Sequence, residues 1–63
     1  MAEFETWYIY EGNCDEDEYY RGKIGIMDLP WRGMVVQSNA NNYSWEVKSY
    51  DKQFHYLYCK RVK

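Results

Sequence analysis

The chain has little of what catalysis, membrane insertion or covalent cross-linking would need. It holds one proline, one histidine, two cysteines and four glycines in 63 residues. No run approaches the roughly 20 consecutive apolar residues that span a bilayer. The opening MAEFETWY has no basic residues ahead of an apolar stretch, so it does not read as a secretory signal. These absences predict a cytoplasmic protein with no membrane contact. Two cysteines, Cys14 and Cys59, are too few for a disulfide scaffold. One bridge would require their Cα atoms within about 7 Å, and free thiols are the favoured reading. A domain this small buries only about 60% of the surface its unfolded chain exposes, so a catalytic cavity would consume the core. The expectation is one small β domain over residues 1–63, not an enzyme, and with no cofactor.

Aromatic residues are abundant instead. Eight Tyr, three Trp and two Phe outnumber the nine Ile, Leu and Val residues. Tyr and Trp combine a large apolar body with a polar tip, which suits half-buried positions and contact surfaces. Charge is uneven along the chain: residues 1–31 hold eight acids and two bases, residues 32–63 two acids and six bases. The net value of -2 and the pI near 5.2 hide that division.

Helical periodicity is hard to find, whereas short aromatic and β-branched runs bounded by turn residues recur. Five strands are expected: 3–10, 19–27, 34–38, 43–49 and 54–62. The separating turns are Glu11-Gly12-Asn13, the segment from Asp28 through Pro30 to Gly33, the Asn39-Ala40-Asn41-Asn42 loop and Tyr50 to Gln53. Gly22 and Gly25 inside the second run signal a bulge or strong bend. The predicted fold is an all-β, five-stranded antiparallel meander, curled into a small SH3-like barrel. The alternative is an α+β sheet with one short helix over Asp15 to Arg21.

Alternation of side chains across a strand sorts these runs into two faces. Trp7, Ile9, Ile24, Ile26, Met34, Val36, Trp45, Val47, Leu57 and Cys59 form one consistent core set. His55 shares that parity and reads as a structural imidazole. The opposite face of the fourth strand is polar (Ser44, Glu46, Lys48), as solvent requires. On the first and last strands it carries Phe4, Tyr8 and Tyr10, then Phe54, Tyr56 and Tyr58. If those two strands pair, the rings share one patch, which stabilises the sheet, is covered by the long acidic loop, or binds a partner.

The run Asn13-Cys14-Asp15-Glu16-Asp17-Glu18 sets four consecutive carboxylates in a loop. Asn13, Asp15 and Asp17 follow the alternate spacing of a calcium loop. The match then fails, because Glu18 stands where glycine is needed and Ile24 where a bidentate glutamate is needed, so no metal site is expected. Closely spaced carboxylates next to Tyr19 and Tyr20 could instead imitate nucleic-acid phosphate and meet a basic, nucleic-acid-binding surface on another protein.

The expected function is therefore non-enzymatic binding to a larger protein, occluding one of its sites. The contact would use Tyr8, Tyr10, Phe54, Tyr56 and Tyr58, with Asp15, Glu16, Asp17, Glu18 and Tyr19. Small inhibitors or regulators of nucleic-acid-handling proteins, of the kind phages and mobile elements carry, have this general character. A homodimer through the same face is a further expectation. The alternative function is single-stranded nucleic-acid binding by Tyr56, Tyr58, Lys60, Arg61 and Lys63, against which the acidic pI counts.

Overall fold

The computed structural model describes residues 3–38, 40 and 42–62. Five strands carry the fold: β1 (Glu5–Glu11), β2 (Tyr20–Ile26), β3 (Val35–Gln37), β4 (Ser44–Asp51) and β5 (Tyr56–Arg61). They make one sheet in the order β2-β1-β5-β4-β3, curled into a half-barrel. The all-β class holds. In place of the alternative's helix over 15–21 there is only a single 3-10 turn, Asp17–Tyr19, which buries none of its residues.

The pairing departs from a purely antiparallel meander in one respect. Strands β1 and β2, β3 and β4, and β4 and β5 are antiparallel, but β1 and β5 run parallel, with Tyr8 opposite Tyr56 and Tyr10 opposite Tyr58. Parity explains this. Five strands that alternate in direction leave the first and last pointing the same way, so they can pair only in parallel.

The sheet therefore ends at β2 and β3, which meet through a side chain. The Ser38 hydroxyl donates to the Arg21 carbonyl oxygen at 2.6 Å and accepts from the Ala40 N–H at 3.0 Å. This approach requires glycine at position 22, whose φ is +121° and where any Cβ would collide with Ser38 Oγ. Of the expected 39–42 loop, Asn39 and Asn41 lie outside the described residues.

Trp7, Ile9, Ile26, Val36, Trp45, Val47, Leu57 and Cys59 form the buried core, with Ile24 and Met34 packed partly buried against it. That is the set alternation predicts. The last strand starts later than expected, at Tyr56 instead of Phe54. Asp51 Oδ1 accepts from the Gln53 and Phe54 N–H groups at 2.9 and 3.2 Å, which prolongs the turn. His55, at φ 60°, then breaks the extended backbone.

Two irregularities re-aim side chains. The β1–β2 register steps from Ile9 opposite Gly22 to Tyr10 opposite Tyr20, leaving Arg21 as an extra residue. The β4–β5 register steps from Val47 opposite Cys59 to Ser49 opposite Tyr58, leaving Lys48 extra. Each is a bulge, and each shifts the parity of the strand residues beyond it. The second turns Tyr50 inward, its ring edge-on to Trp7 at 5.8 Å.

Candidate functional site

The outer face of β1 and β5 brings the expected rings together. Parallel register sets Tyr8 beside Tyr56, with ring centroids 6.3 Å apart, and Tyr10 beside Tyr58, at 6.4 Å. Tyr10 also lies edge-on to Tyr56 at 4.9 Å. Phe54 stacks on Tyr56 at 5.6 Å from the turn before β5, so it joins the cluster without belonging to the strand. Offset and edge-to-face pairs at such separations stabilise a sheet while leaving ring faces free for contact. Phe54 is 55% exposed and Tyr8 37%, Tyr56 and Tyr58 are half-buried, and Tyr10 is buried in the middle. Phe4, expected in the patch, packs over Gly25.

Tyr20 belongs to the cluster, whereas sequence reasoning set it only beside the acidic loop. Its ring lies 5.6 Å from Tyr10 and 6.4 Å from Tyr8, and 39% of the residue is exposed. Uninterrupted alternation from Ile24 and Ile26 turns Tyr20 inward, and the bulge at Arg21 turns it outward. The signal was Gly22, which marks a bulge without locating the extra residue.

The acidic loop is tied down at its base and borders the cluster. Arg21 Nε donates to Glu11 Oε1 at 2.9 Å, and an Arg21 terminal nitrogen donates to the Glu18 carbonyl oxygen at 2.9 Å. One guanidinium thus holds both ends of the loop. Asp15, Glu16, Asp17 and Glu18 are all exposed, and two of them act on the cluster electrostatically. Burial, the charge of and hydrogen bond with Tyr56, and then Asp17 and Asp15 hold the Tyr10 phenol above its ordinary value. Burial, Asp15, Asp51, Tyr56 and Cys14 do the same for Tyr58. Tyr19, in the 3-10 turn, is 38% exposed and makes no ring contact with the cluster among the described residues.

The remaining candidates lie elsewhere. His55 stacks flat on Trp7 at 4.5 Å, with Nδ1 3.2 Å from the Thr6 carbonyl oxygen and Nε2 3.6 Å from Glu5 Oε2. Cys59 is fully buried and burial pushes its thiol up to about 12, while Cys14 is half-buried; both are free thiols. Among the described residues no three His, Cys, Asp or Glu side chains converge to hold a metal ion. None of the described helices is long and apolar enough to cross a membrane. Of the basic residues at the end of β5, Lys60 shares the outer face with Tyr56 and Tyr58. Arg61 has the opposite parity and lies over the Tyr43 ring at 4.7 Å, and Lys63 lies outside the described residues. Compared with protein-family models, curated proteins and solved structures, the chain matches none.

Proposed function

We propose that this chain is a protein-binding domain that docks through the aromatic outer face of β1, β5 and the start of β2, occluding a site on a larger partner. One observation carries the reading: six rings, Tyr8, Tyr10, Tyr20, Phe54, Tyr56 and Tyr58, form a chain of contacts on the side of the sheet away from the core. Rigid aromatic side chains lose little entropy on contact and dominate the centres of protein interfaces. Asp15 and Asp17 at the rim favour a partner with a basic surface, as a nucleic-acid-handling protein would present. The curled five-strand sheet with its long first loop is read as an SH3-like scaffold. Binding alone, without chemistry, suits a chain whose only histidine and buried thiol are engaged in packing.

The test is capture from the native host with the full chain and with Tyr56→Ser/Tyr58→Ser. A protein enriched by the first and lost with the second supports the reading, and equal recovery contradicts it. Neutralising the loop as Asp15→Asn/Asp17→Asn is expected to weaken capture and flatten its salt dependence. A second copy of the chain as the occupant would appear as a concentration-dependent dimer that the tyrosine variant abolishes.

A further inference from the structure

Away from the aromatic rings, the outer face carries a cleft of about 280 Å³ lined by Arg32, Glu46, Val47, Lys48 and Lys60. Three cations and one carboxylate share this wall. We propose that the cleft is an anion site that takes a phosphate group.

Each cation is positioned by backbone. Lys60 is fixed by the β4–β5 register opposite Glu46. Lys48 is the extra residue of the β4 bulge, so it joins Glu46 and Lys60 without displacing Ser49 from the same face. Arg32 arrives on a turn clamped to the strand: the Gly33 N–H donates to the Val47 carbonyl oxygen at 2.8 Å, and the Val47 N–H donates to the Met34 carbonyl oxygen at 2.8 Å. Gly33, at φ +90°, lets the chain make that turn.

The charges are poorly matched within the chain. Lys60 lies 3.8 Å from Glu46, too long for a strong ion pair. The Arg32 and Lys48 side chains form no ion pair or hydrogen bond with any described residue. Like charges held together on a concave wall repel one another and focus a positive potential, both of which a bound anion relieves. A phosphate oxyanion accepts hydrogen bonds from a guanidinium and ammonium groups at once. The cleft lies just below the usual size range for small-molecule sites, matching a phosphate or short phosphorylated fragment. Tyr58, two residues before Lys60 on the same face, would stack a base if the phosphate belongs to a single strand.

The test is amide NMR of the full chain at about 50 mM salt, titrated with pyrophosphate and separately with a thymidine oligonucleotide. Saturable pyrophosphate shifts are expected at Gly33, Val47, Lys48 and Lys60. Arg32→Gln/Lys48→Gln is expected to weaken binding by about tenfold, and Glu46→Gln to strengthen it a few-fold. Tighter oligonucleotide binding that also moves Tyr58 assigns the phosphate to a nucleic-acid strand, whereas equal or weaker binding assigns it to a small phosphate ligand. Absence of saturable shifts, or shifts unchanged in the double variant while its spectrum stays folded, overturns the proposal. Tyr56→Ser/Tyr58→Ser leaves pyrophosphate binding intact, so the cleft and the protein-binding face can fail separately.

Discussion

The two faces of β1 and β5 are both rich in large side chains, yet they are built for different ends. Inward, Trp7, Ile9, Leu57 and Cys59 are completely buried. The Trp7 and Trp45 indole N–H groups find no acceptor among the described residues, so this interior holds together by packing and apolar burial despite unmet hydrogen bonds. Outward, the same strands display Tyr8, Tyr10, Tyr56 and Tyr58, whose hydroxyls tolerate water and whose rings touch each other across the parallel pair. The contrast separates what keeps the chain folded from the face proposed to meet a partner, and it makes the two experimentally separable.

The largest effect is expected inside. Trp7→Ala removes a fully buried indole from between His55 and Tyr50 and should destabilise by about 3–5 kcal/mol. A single core of this size supplies only about 3–5 kcal/mol in total, so circular dichroism should report a largely unfolded chain. Gly22→Ala comes next. It forces a side chain into Ser38 Oγ at a left-handed backbone position, for a loss of about 2–3 kcal/mol by urea denaturation. A loss under about 0.5 kcal/mol would show that β2 and β3 do not close against each other.

Outside, Tyr56→Ser/Tyr58→Ser should lower stability by no more than about 1 kcal/mol per ring while abolishing partner capture. Loss of the fold in that variant would erase the distinction between the faces.

The smallest effects are chemical. Folding holds the Tyr10 and Tyr58 phenols above their ordinary value of 10.0. The neutral form is thus favoured in the folded state, so their contribution is complete below pH 10 and declines as pH rises through the folded values. Denaturation midpoints measured from pH 9 upward should fall beyond about pH 10, and less steeply in Tyr58→Phe. At pH 8 a thiol reagent should label Cys14 and spare Cys59 until the chain is denatured, since only the thiolate reacts and Cys59 is pushed up to about 12.

Much of this was legible in the residues. Alternation within EFETWYIY and FHYLYCKRV separates Trp7, Ile9, Leu57 and Cys59 from the tyrosines between them, because a strand's period of two leaves no other assignment. What alternation cannot see is a single inserted residue. The bulge at Arg21 turned Tyr20 out, and the bulge at Lys48 turned Tyr50 in and gave the basic cleft its second cation. The late start of β5 was equally hidden, since a left-handed His55 is set by the Asp51 turn and the stack on Trp7. Parallel pairing of the end strands was available from counting five alternating strands. The convergence of Arg32, Lys48 and Lys60 was not, because it depends on where a turn docks.

The most direct test sets binding against folding in one variant: capture of host protein by Tyr56→Ser/Tyr58→Ser, with its urea midpoint measured on the same preparation. Loss of a captured protein from a chain that still unfolds cooperatively is the predicted result. Undiminished capture by that folded variant would contradict the account.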